Sequence, residues 1–120
     1  MAQHYDFKIY IEDDTDLLFV FTDDGDEPLQ LSADGLEMLV HRHYQPSTVV
    51  DKLTVENGRL ELVDDGFKVI VHFSPEDKKV YAKPRYPAEY FDYTVDYTEY
   101  GKKTRLLYGH IYPLMESGDE

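Results

Sequence analysis

The chain has 120 residues and a mass of 14.1 kDa, enough for one domain with its own core. Apolar residues make up 42% and charged residues 31%, which excludes disorder along the whole length. Cysteine is absent, which excludes disulfides, thiolate metal sites and cysteine nucleophiles; 25 acidic against 12 basic residues give a net charge of −13.

Such a charge repels nucleic acid and anionic membranes and attracts basic partners. No apolar run approaches the ~20 residues that span a bilayer. Met1–Asp6 has no basic segment leading into an apolar stretch, so no signal peptide is expected. The expectation is a soluble, cytoplasmic protein.

Tyr5–Glu12 alternates, with Phe7, Ile9 and Ile11 on one side and Asp6, Lys8 and Glu12 on the other, the pattern of a half-buried strand. The turn Asp13-Asp14-Thr15-Asp16 leads to a second strand, Leu17–Thr22, and Gly25 supplies the next turn. An antiparallel hairpin is expected here. Ser32 is placed to cap a helix, and Leu36, Leu39, Val40 and His43 follow at helical spacing until Pro46 stops the pattern. This predicts one substantial helix over 33–44.

From Val49 the pattern returns to strands. Val49–Glu56 and Arg59–Val63 flank Asn57-Gly58, a strong hairpin signal. Phe67–Phe73 and Tyr90–Glu99 both alternate, and a turn near Gly101 leads into Thr104–Tyr112, with Pro113 as the terminator. The predicted fold is α+β, mainly antiparallel, with seven or eight strands in a single domain over 1–115 and a short acidic tail over 116–120. The predicted core comprises Phe7, Ile9, Ile11, Leu18, Val20, Leu36, Leu39, Val69, Val71, Phe91, Val95 and Leu107.

The acidity is uneven. Residues 1–40 carry eleven acids and one base, whereas residues 67–120 carry nine and eight. The acids gather in three turns: Glu12, Asp13, Asp14 and Asp16; Asp23, Asp24, Asp26 and Glu27; Asp64 and Asp65. Aspartate favours turns because its side chain accepts from nearby backbone N–H groups, which accounts for one or two acids per turn. Four within five residues oppose folding by self-repulsion. Over the ~35 Å diameter of such a domain, duplex DNA carries about 20 phosphates, roughly half of them facing one partner. The charge of residues 1–40 is therefore comparable to what a DNA-binding protein meets.

Enzymatic motifs are missing. No serine lies in Gly-x-Ser-x-Gly, no glycine-rich phosphate loop is present, and no carboxylate pair is singled out. Neither acidic turn can be registered on an EF-hand loop. His41 and His43 would point to different faces of the predicted helix, and no His-Glu-x-x-His occurs, so His4, His41, His43, His72 and His110 read as ordinary surface residues. No metal, cofactor or catalysis is expected. Eight of the eleven tyrosines lie between Tyr81 and Tyr112, where Tyr93 and Tyr97 read as core and Tyr90 and Tyr100 as surface.

Length, composition and the acidic runs Glu12–Asp16 and Asp23–Glu27 resemble the DNA-mimic proteins of bacteria and phages. These are small acidic decoys, among them a Neisseria protein that engages the histone-like protein HU. The resemblance implies a non-enzymatic monomer that binds the DNA-contacting surface of a basic nucleoid protein, repressor, nuclease or defence enzyme, and does not bind nucleic acid itself. The implied contact residues are Glu12, Asp13, Asp14, Asp16, Asp23, Asp24, Asp26, Glu27, Asp64 and Asp65. An immunity protein against a basic nuclease is the nearest variant. An assembly subunit whose acidity serves solubility is the alternative from another class.

Overall fold

Alternating burial runs through most of the described elements and builds two β-sheets. The computed structural model describes residues 3–10, 14–22, 25–43, 45–74, 76, 81 and 90–114. Its strands are β1 (Gln3–His4), β2 (Phe7–Tyr10), β3 (Thr15–Phe19), β4 (Leu36–Arg42), β5 (Gln45–Thr54), β6 (Leu60–Val63), β7 (Lys68–Phe73), β8 (Phe91–Glu99) and β9 (Lys102–Leu114). The larger sheet has the order β1-β9-β8-β4-β5, with β2 following β1 along the same edge of β9. The smaller sheet has the order β3-β7-β6. The inner faces share one core, to which Met38, Val40, Leu53, Phe91 and Ile111 come from the larger sheet and Leu60, Val69, Val71 and Phe73 from the smaller. Phe7 meets Tyr93 within the larger sheet and Phe73 across the gap, with ring centroids 5.1 and 6.1 Å apart.

The predicted α+β class is overturned: the fold is nearly all β. No α-helix occurs among the described residues, and the segment 33–44 holds a short 3-10 turn, Ala33–Gly35, followed by β4. Leu36, Met38 and Val40 are 3%, 0% and 0% exposed, so the working period is two. Leu36 and Val40 fit both periods, whereas Leu39 fits only the helical one and lies on the other face of the strand. The choice falls to β8 and β5, which hydrogen-bond β4 on either side. Ser32 makes no side-chain cap; its N–H and Oγ meet the Tyr97 hydroxyl at 3.1 and 3.2 Å.

The opening hairpin does not form either. β2 runs parallel to β9 in one sheet, and β3 pairs antiparallel with β7 in the other. β3 also turns the opposite face inward: Leu17 and Phe19 pack on the core, while Leu18 and Val20 are 59% and 51% exposed. Of the other predicted core positions, Leu39 is only partly buried and Ile11 lies outside the described residues. Asn57-Gly58 makes a turn, but one that carries the chain from β5 in the larger sheet to β6 in the smaller. Pro113 lies within β9, beyond the last β8 pair at Phe91 and Ile111, where its missing N–H breaks no bond to β8.

Two local devices place the outer face of the larger sheet. The β8–β9 register shifts by one residue between Val95 and Asp96, leaving Leu106 as a bulge; this sets His110 directly opposite Asp92. Gly109 faces the link between β1 and β2, where any Cβ would overlap the Tyr5 carbonyl oxygen. That close approach lets the buried Tyr93 hydroxyl donate to the Tyr5 carbonyl and brings Asp6 over His110.

Candidate functional site

On the outer face of the larger sheet, residues from β1, β8 and β9, together with Asp6 before β2, His43 after β4 and Tyr90 before β8, form one row. His4 Nε2 lies 2.8 Å from Asp6 Oδ1, which lies 3.3 Å from His110 Nδ1. His110 Nε2 is 3.3 Å from Asp92 Oδ1, and His43 Nδ1 is 3.1 Å from Asp92 Oδ2. Tyr90 Oη ends the row, 2.8 Å from His43 Nε2. The backbone supports it: the His110 N–H donates to Asp6 Oδ1 at 2.8 Å, and Asp92 is the cross-strand partner of both His41 and His110. His4 stacks on Tyr108, and Tyr90 packs on Tyr112.

With neutral imidazoles the row carries two carboxylate charges on an open face, an arrangement that attracts a cation. His4, Asp6 and His110, and separately His43, Asp92 and His110, each bring three ligand-type atoms within 4.8 Å of one another. His41 lies outside both sets, and its enclosed Nδ1 has no hydrogen-bond partner among the described residues.

The sequence-predicted acids lie elsewhere. Asp14, Asp16, Asp26, Glu27, Asp64 and Asp65 are all exposed; Glu12, Asp13, Asp23 and Asp24 lie outside the described residues, as does the 116–120 tail. The chain that follows Asp26 and Glu27 returns to the end of the smaller sheet that carries Asp64 and Asp65. There the Gln30 side-chain amide donates to the Asp65 carbonyl at 2.7 Å, and the Leu31 N–H to the Gly66 carbonyl at 2.9 Å. Gly66 permits this contact, since it has a φ of 91° and a Cβ there would overlap the Leu31 carbonyl. Asp14 and Asp16 sit at the other end of β3.

Asp26, Asp64 and Asp65 have φ of 64°, 55° and 58°, a left-handed conformation that aspartate tolerates better than most residues. Glycine and asparagine meet the same demand without charge. The backbone therefore explains a short polar residue at these positions and not the carboxylate.

His72 on β7 lies between Asp16 and Glu61, with Nδ1 and Nε2 at 2.8 and 2.9 Å from their carboxylates. The hydrogen bond to Asp16, then that to Glu61, raise its pKa above the ordinary histidine value.

Sequence reading set the histidines aside, and none of the spacings in the row identifies them. Period-two alternation puts Asp92 and His110 on outward faces, but their juxtaposition depends on the bulge, which no local pattern locates. Among the described residues, no helix is long and apolar enough to cross a membrane. Neither the family models nor the curated proteins offer a match to this chain.

Proposed function

We propose that this protein is a non-enzymatic acidic docking module that covers the DNA-contacting surface of a basic DNA-binding protein. One observation carries the reading: Gln30 and Leu31, which follow the acidic turn at Asp26 and Glu27, are hydrogen-bonded to the carbonyls of Asp65 and Gly66, so the chain leaving one acidic turn is tied to a second that is distant in sequence. Asp14 and Asp16 form a second group at the opposite end of β3, whose four residue steps at ~3.3 Å from Thr15 to Phe19 span roughly 13 Å. That span matches about four base-pair rises on a DNA strand. Electrostatic complementarity over such a span mainly raises the association rate and selects the partner. The module acts in the cytoplasm, as a monomer, and does not itself bind nucleic acid.

The test is competition. Basic proteins retained on the immobilised chain at low salt and released at high salt are bound to labelled duplex DNA, then titrated with the protein. Wild type is expected to displace the DNA, more weakly as salt shortens the Debye length towards ~8 Å and below. A variant carrying Asp26→Asn, Glu27→Gln, Asp64→Asn and Asp65→Asn should displace it poorly while remaining folded. Failure of wild type to displace DNA, or equal displacement by the variant, refutes the reading. Self-association on size exclusion would favour the assembly subunit instead.

A further inference from the structure

We propose that His43 Nδ1, a carboxylate oxygen of Asp92 and His110 Nε2 form a binding site for a divalent transition-metal ion of the zinc class, with the remaining position open to water. Asp92 and His110 are paired across the hydrogen-bonded neighbours β8 and β9, and His43 is the residue that follows β4, whose last pair with β8 joins Arg42 to Phe91. Zinc bonds of ~2.0–2.2 Å at tetrahedral angles separate ligand atoms by ~3.3–3.6 Å. Asp92 Oδ1 lies 3.3 Å from His110 Nε2 and 3.2 Å from His43 Nδ1, and the three ligand atoms all fall within 4.8 Å of one another, so side-chain rotation brings them to an ion. Two imidazoles and a carboxylate are a donor set that suits zinc and its neighbours and leaves a face free. The side chains are 47%, 34% and 32% exposed for His43, Asp92 and His110, which gives water and a ligand access to that face.

The outer contacts select this set over the one containing His4. A metal-bound imidazole characteristically directs its other ring nitrogen at an oxygen partner, which fixes tautomer and orientation. Here His43 Nε2 faces Tyr90 Oη at 2.8 Å, and His110 Nδ1 faces Asp6 Oδ1 at 3.3 Å. Asp6 Oδ1 already accepts the His110 backbone N–H at 2.8 Å and faces His4 Nε2 at 2.8 Å, so it is committed to holding His110. Without metal, the His43 Nδ1–H donates to Asp92 and the Tyr90 hydroxyl donates to Nε2. With metal, Nδ1 presents its lone pair to the ion and the Nε2–H donates to Tyr90. The same His43 contacts serve both states by a change of tautomer.

The experiment uses the full chain, dialysed against chelator and titrated calorimetrically with Zn²⁺ alone. One ion per chain is expected. Tyr90→Phe should weaken binding about 10-fold, the lower end of what loss of an outer partner costs. His43→Ala, Asp92→Asn and His110→Ala should weaken it more than Tyr90→Phe does, and His4→Ala or His72→Gln less. Because a variant can fail to fold, the imidazole ¹⁵N resonances of the wild type are followed in parallel. Added Zn²⁺ should shift His43 Nδ1 and His110 Nε2 and leave His72 in place. Absence of stoichiometric binding overturns the proposal. So does a greater loss from His4→Ala than from His43→Ala, or a shift confined to His72.

Discussion

Arg59 joins the two sheets, and its replacement tests how much that junction contributes. Its guanidinium donates to both Asp51 carboxylate oxygens at 3.0 and 2.8 Å, and its Nε donates to the His72 carbonyl at 3.1 Å. It also lies 5.5 Å above the Phe73 ring, while the Tyr81 hydroxyl donates to the same carboxylate at 2.9 Å. Asp51 and Arg59 side chains are 11% and 13% exposed, so little water replaces a lost partner. Arg59→Met keeps most of the stem volume and leaves the Asp51 charge without its cation. Breaking a buried pair this way costs ~3–5 kcal/mol, and the residual exposure places this one near ~3 kcal/mol. An unfolding entropy of ~2.1 cal/mol/K per residue gives about 250 cal/mol/K for this chain, so the melting midpoint should fall by ~12 °C. Asp51→Asn should lose a similar amount. The double variant should lose clearly less than the two losses added, because neither charge is then stranded. Thermal and urea denaturation followed by circular dichroism read all four proteins. A shift under ~2 °C for Arg59→Met, or strict additivity in the double variant, would refute the reasoning.

Two further outcomes follow from burial and charge. His72 has its folded-state pKa raised by Asp16 and Glu61, so its stabilising contribution is complete below the unfolded value of ~6.5 and is lost as pH rises through the folded value. The urea midpoint of wild type should therefore exceed that of His72→Gln at acidic pH and converge with it at alkaline pH, and a gap that widens with pH would contradict this. Leu18→Ala should change stability by less than ~0.5 kcal/mol because Leu18 is 59% exposed, whereas Leu53→Ala, at a site with 0% exposure, should cost ~2–5 kcal/mol. Chemical denaturation distinguishes the two, and equal losses would mean that β3 presents the other face to the core.

Most strands could be read from the amino-acid order because burial repeats every two residues in Phe67–Phe73 and Phe91–Val95, and the turn at Gly101 is local. The net charge and its concentration in the first forty residues are likewise properties of the chain alone. Three features required the folded molecule. Leu36–Arg42 is a strand and not a helix because β8 and β5 offer it two hydrogen-bonding edges, a condition absent from its own residues. β3 buries Leu17 and Phe19 because it pairs with β7, and a strand whose apolar residues are consecutive does not declare its inner face. The His43–Asp92–His110 row exists because a one-residue bulge at Leu106 brings His110 opposite Asp92; without it Gly109 would hold that place. Local periodicity sets which residues lie on a face, but the pairing of strands far apart in sequence sets which of them meet.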